Sequence, residues 1–165
     1  MTITNEGLRI ELTETANGIF FESGSDKLSA DGGDLVRLLA QELGQLPNTI
    51  AIEGHTDAKP YPPGAIYTNW ELSADLANST RRLMQANGIR PDQVTQVRGF
   101  ADQRLRNADA PLDPSNRRIS LIVQYLEKKA EKDVKASPEA GKSPDSAATR
   151  DPSAPIPGAA VNPKK

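Results

Sequence analysis

Hydrophobic and polar positions alternate first at Leu8–Thr13, where Leu8, Ile10 and Leu12 are separated by Arg9 and Glu11, the period of a strand with one covered face. The segment after it, GIFFESGSDKLS, carries turn residues around Gly24. Ser29 is then placed to cap a helix in which Leu35, Leu38, Leu39, Leu43 and Leu46 recur at helical spacing until Pro47 stops it. TIAIEGH predicts a second strand ending at Gly54. A longer helix is predicted from about Asn69 to Asn87, with the stripe Leu72, Leu76, Leu83 and Met84, a glycine cap at Gly88 and Pro91 just beyond. VTQVRGF reads as a third strand. After an irregular stretch holding Pro111 and Pro114, RRISLIVQYL reads as a fourth, with Ile119, Leu121, Val123 and Tyr125 on one face. Two helices interleaved with strands, followed by a last strand, predict an α+β two-layer sandwich: a mixed four-stranded sheet with the helices on one face.

The pattern stops near residue 128. From Lys128 onward the chain is mostly Lys, Ala, Ser, Pro, Glu and Asp, with six of the 13 prolines and no aromatic residue. Such a segment buries too little apolar surface to offset a chain entropy of roughly 1–2 kcal/mol per residue. The expected organisation is therefore a folded domain over 1–128 and a disordered tail over 129–165. Composition narrows the chemistry further. A formal charge of −2 gives no global field that would gather nucleic acid, so no nucleic-acid partner is expected. Without cysteine, disulfides and thiolate metal sites are excluded. No apolar run is long enough to span a bilayer, and the opening MTITNEGLRIEL has neither the basic flank nor the apolar stretch of a secretory signal. That opening reads as the start of a fragment cut from a longer protein.

The chemistry concentrates in IEGHTDAKPYPPGAIYTNWELSAD, which holds the only histidine, His55, and the only tryptophan, Trp70. His55 and Asp57 stand at period two where the second strand ends, so both side chains are expected at one mouth of the sheet. As a catalytic pair they lack a nucleophile motif. As a metal site they lack further nitrogen ligands, and no cofactor is expected. The bland reading of His55 is a histidine hydrogen-bonded to backbone at a strand end. The loop 59–67, with three prolines, Gly64 and two tyrosines, is stiffened, which lowers the entropy lost when a ligand docks. An acid at Asp57 beside the helix start at Asn69 suits a ligand carrying both an amine and a carboxylate.

GHTD, then NWELSAD and, about 45 residues later, NRRISLIV make the chain similar to the OmpA-like peptidoglycan-binding domains over roughly Leu8–Tyr125. Within them the wording YTNWELSAD most resembles the stator proteins of the flagellar motor. The resemblance implies a non-catalytic domain of the OmpA C-terminal fold that grips the peptidoglycan stem peptide, chiefly its diaminopimelate residue. Carried over by motif, Asp57 pairs with the ligand amine with Thr56 beside it, Asn69 and Leu72 line the pocket, and Arg117 braces the acid. It further implies a homodimer, a membrane stator partner subunit, and a place as the periplasmic part of an inner-membrane protein. Leu76 departs from the pattern, standing where the family carries an arginine that clamps the ligand carboxylate. Losing such a bond typically removes about 1.5–3 kcal/mol. Leu76 is read either as a tuned site position or as one more core residue. Two rival functions stay open: an outer-membrane protein or lipoprotein anchored to the wall by the same fold, and a wall hydrolase using His55 and Asp57.

Overall fold

A computed structural model describes residues 1–126 apart from 19, 22–24 and 26. The expected tail at 129–165, and with it the boundary at 128, lies outside the described residues. Five strands form one sheet: β1 (Thr2–Ile3), β2 (Gly7–Thr13), β3 (Ile50–His55), β4 (Val94–Gly99) and β5 (Arg118–Gln124), in the order β1-β2-β5-β3-β4. β3 and β4 are parallel and the other pairs antiparallel, so the sheet is mixed as expected. The addition is β1, a two-residue edge strand too short to leave a period in the sequence.

Helices α1 (Ala30–Gly44) and α2 (Asn69–Gln85) cover one face of the sheet. Their core partners are the alternate residues Ile10 and Leu12 of β2, Ile50 and Ile52 of β3, and Ile119, Leu121 and Val123 of β5. Ser29 caps α1 as predicted, its hydroxyl accepting from Gly32 N–H. The buried stripe of α1 is Val36, Ala40 and Leu43, whereas Leu38 and Leu46 are 55% and 39% exposed. Leu35, Leu39 and Leu43 of the predicted stripe pack on the core, with Val36 and Ala40 at its centre; Leu38 faces outward and Leu46 lies beyond the helix end. α2 starts at Asn69 as expected and is capped by Thr68 with a reciprocal Thr68–Glu71 box. Tyr125 lies beyond β5 and is exposed, outside the stripe predicted for it.

Two glycines set the height of α2 above the sheet. A Cβ on Gly54 would stand 1.9 Å from the Ser73 carbonyl oxygen, and one on Gly99 would stand 2.7 Å from the Ser73 hydroxyl. Any side chain at either position would push the helix away. Ser73 completes the junction by donating to Trp70 O and accepting from Ala101 N–H, both at 2.9 Å. The motif residues Gly54 and Ser73 thus fix where the first turn of α2 sits relative to the end of β3.

Candidate functional site

The chain leaves the sheet after His55, and this exit separates the two residues expected side by side. His55 continues the alternation Ala51, Glu53, His55 and faces away from the helices, where it is fully buried and stacked on Phe100 with ring centroids 5.2 Å apart. Arg104 lies over the Phe100 ring at 3.8 Å. Neither ring nitrogen of His55 has a hydrogen-bond partner among the described residues, so the expected bond to backbone is absent. Thr56 is also buried; its N–H donates to Ala101 O, and its hydroxyl has no hydrogen-bond partner among the described residues. Asp57, one residue further, reaches a cavity of about 370 Å³ on the surface.

Four of the six expected site residues meet in that cavity: Asp57, Asn69, Leu72 and Arg117. Arg117 Nε stands 3.6 Å from Asp57 Oδ2, an ion pair slightly too long for a hydrogen bond. Asp57 Oδ1 accepts from Lys59 N–H at 3.2 Å, and the Asn69 amide donates to Lys59 O at 3.1 Å, tying the stiff loop to α2. Lys59, Pro60 and Tyr61 form the loop wall, and Leu112 and Pro114 face them. Thr56 and Leu76 are not among the lining residues. Leu76 is 2% exposed and belongs to the core cluster between α2 and the sheet.

Asn116 was not singled out as a site residue, although it opens the NRR motif. Fully buried, its side chain accepts from Asn107 N–H at 2.8 Å and donates to Ala110 O and Pro111 O at 3.0 and 3.1 Å. Pro111 O in turn accepts from Ala58 N–H at 3.0 Å. One amide thereby clamps the irregular stretch and holds Leu112 against the cavity. The signal available in sequence was an asparagine beside the prolines of a long loop, which does not say what it holds. A larger hollow of about 610 Å³, between Pro47, Thr49, Thr95 and Tyr125, lies at the opposite end of the strands, and among the described residues that line it Glu6 is the only charged one. It offers no acid–base pairing for a zwitterion.

The open face of the sheet carries a second electrostatic feature. Glu53 is buried between Arg9 at 3.1 Å and Arg98 at 2.9 Å, with His55 Nε2 at 3.7 Å, a near neighbour rather than a hydrogen-bond donor. Burial alone would push the Glu53 carboxyl up, but His55, Arg9 and Arg98 together hold it at about 2. His55 is pushed down by its burial first and by Arg118 and Arg9, with Glu53 opposing. Both folded-state values lie below the ordinary 4.5 and 6.5, so both groups stabilise the fold above those values and lose that contribution as the pH falls. The melting temperature should therefore decline below about pH 6.5 and fall further between 4.5 and 2, where Glu53 accounts for about 3 kcal/mol. Glu53→Gln should lower stability at neutral pH and flatten that last limb; a variant with an unchanged acid limb would show that Glu53 does not set it.

Among the described residues no helix is long and apolar enough to cross a membrane. Motility protein B of Escherichia coli K12 is 40% identical over 133 residues, which cover 80% of this chain and 42% of that protein. The putative flagellar export/assembly protein LafU of Escherichia coli O44:H18 is 41% identical over 123 residues, covering 74% and 40%. The chain thus spans about two-fifths of the length of these curated relatives. Its fold is that of the periplasmic domain of Helicobacter pylori MotB, with a TM-score of 0.61 at 20% identity, covering 73% of this chain and 78% of that one. The cell wall anchor of the type VI secretion system (T6SS) of Pseudomonas aeruginosa superposes with a TM-score of 0.57 at 21% identity, covering 72% and 81%. The match that names the group runs over residues 20–120, from the approach to α1 into the first residues of β5: the chain belongs to the OmpA family.

Proposed function

We propose that this chain is a non-catalytic peptidoglycan-binding domain that holds a flagellar motor stator against the cell wall. The observation that carries the reading is the meeting of Asp57, Asn69, Leu72 and Arg117 in one cavity whose wall is a proline-stiffened loop. Asp57 accepts from the free amine of a diaminopimelate stem peptide, the Asn69 amide orients its backbone, and Leu72 and Leu112 cover its methylene chain. Such a site grips by pre-ordered contacts and has nothing to transfer. The hydrolase alternative loses its base, because His55 is sealed behind Phe100 and does not line the cavity.

The relatives named for motility favour the stator over an outer-membrane anchor. In that setting the domain works on the periplasmic side of the inner membrane, in a homodimer whose membrane segments pair with the stator partner subunit. Anchoring gives the rotor something to be turned against. The test is sedimentation with purified diaminopimelate-type sacculi: the protein should pellet with them and release no muropeptide over hours. Soluble fragments accumulating with time, or protein left in the supernatant, would overturn the reading.

A further inference from the structure

His55 is sealed in the open face of the sheet with both ring nitrogens unpartnered among the described residues. A neutral imidazole has one N–H to place, whereas an imidazolium has two and a charge. The acceptor within reach is Glu53 Oε2, 3.7 Å from Nε2, and closing that gap would serve only one of the two. The same carboxylate already faces Arg9 at 3.1 Å and Arg98 at 2.9 Å, and Arg118 lies across the β3–β5 ladder from His55. Arg98 also pairs with Glu6 at 3.0 Å and Arg118 with Glu11 at 3.2 Å, so these three arginines are matched by three glutamates while His55 is neutral. Arg104 over Phe100 and Arg106, 3.8 Å from Glu11, tilt the balance further to the positive side. Burial first, then Arg118 and Arg9, hold the imidazole below its ordinary 6.5 against the pull of Glu53.

The ring that covers His55 belongs to the segment that clamps the site. Phe100 stacks on the imidazole with the planes 14° apart, and its N–H donates to Gly54 O at 3.0 Å. Ala101 accepts from Thr56 N–H at 2.9 Å and donates to Ser73 Oγ at 2.9 Å. It does so in a left-handed backbone with φ 47°, a conformation that an alanine keeps only where its surroundings hold it. Arg118 secures the far side of the same turn by donating to Arg104 O at 2.9 Å. The bonds to Gly54 and Thr56 flank His55, and Asp57 follows at once.

We propose that His55 is a positioning residue for Asp57 that responds to protons: once charged, it displaces Phe100, breaks the backbone bonds to Gly54 and Thr56, and lets Asp57 leave the cavity. The domain holds the stem peptide while His55 is neutral and loosens its hold as the surroundings turn mildly acidic. The inference rests on the stem-peptide reading above and deepens it by adding a control on the same site.

His55 is the only histidine, so its ring C–H resonance can be followed without ambiguity through an acid titration of the whole chain. In the free protein the midpoint should lie below 6.5. A saturating tripeptide stem carrying diaminopimelate should move it lower by about one pH unit, the shift that an about ten-fold preference for the neutral form requires. Calorimetry should show the affinity for that peptide falling about ten-fold between about pH 7.5 and the acid side of the transition, a range in which the peptide's own amine and carboxylates keep their charges. His55→Phe, which keeps a ring against Phe100 but takes no proton, should bind with affinities that differ by less than about two-fold between those conditions, whatever their absolute strength. A midpoint that the peptide does not move, loss of the whole native spectrum together with the His55 transition, or the wild-type pH dependence retained by His55→Phe would overturn the inference and leave the stem-peptide reading standing. Should His55→Phe not fold, the wild-type titration with and without peptide decides alone. If wild type fails to bind the peptide at the neutral end, the stem-peptide reading itself fails and takes the inference with it.

Discussion

Leu76→Arg is expected to destabilise the domain by about 3–5 kcal/mol, because it places an unpaired guanidinium in an apolar interior. Leu76 is 2% exposed and packs with Ala77, Met84, Ile52 and Ile119 in the core shared by α2 and the sheet. It follows Leu72 by one turn, and Leu72 is the residue that both closes the core and lines the cavity. An arginine at Leu76 would have to pass that closure to reach water. A melting temperature lowered by roughly 10–20 °C should result. Leu76→Met, which conserves volume, should cost less than about 1.5 kcal/mol. Thermal melts followed by circular dichroism decide the matter: an arginine variant as stable as wild type would mean that the side chain reaches the cavity and that Leu76 is a site position.

Asp57→Ala should behave in the opposite way. The carboxylate is at the surface of the cavity, and its contacts with Lys59 N–H and Arg117 are worth about 1 kcal/mol to the fold. Stability should hardly change. Binding of a diaminopimelate stem peptide should weaken by about ten- to a hundred-fold, since the ammonium loses its charged acceptor and Arg117 remains to repel it. Calorimetric titration with the folded variant measures this directly. Affinity equal to wild type would remove Asp57 from the recognition site.

The layer structure was legible because β2, β3 and β5 turn alternate apolar residues toward the helices, and that period two survives in their sequences even though polar side chains of β3 and β5 are buried on the other face as well. β1 was not legible, since two residues cannot show a period. The face of α1 was legible in Leu35, Leu39 and Leu43, but the leucine spacing also took in the exposed Leu38 and passed over Val36 and Ala40, which sit at the centre of the contact. Around the site, chain order indicated Asp57 and the helix start at Asn69, while the pocket roles of Leu72 and Arg117 came from resemblance; Arg117 is brought to the others by the β3–β5 pairing, where His55 lies opposite Arg118. His55 and Asp57 were expected together on strand alternation, which ends at His55. The burial of His55 depends on Phe100, forty-five positions on, whose approach no local pattern announces. Asn116 shows the same limit: its carbonyl partners are backbone atoms, invisible in residue types.

The central claim, that the Asp57 cavity is where this domain holds the cell wall, is tested most directly by nuclear magnetic resonance with isotope-labelled protein and a soluble diaminopimelate stem peptide. Amide and side-chain shifts should move at Asp57, Lys59, Asn69, Leu72, Leu112 and Arg117, and the Asp57→Ala variant should show no such pattern at the same peptide concentration. Shifts confined to the hollow between Thr49 and Tyr125, to the Glu53–Arg98 face, or absent altogether would contradict it.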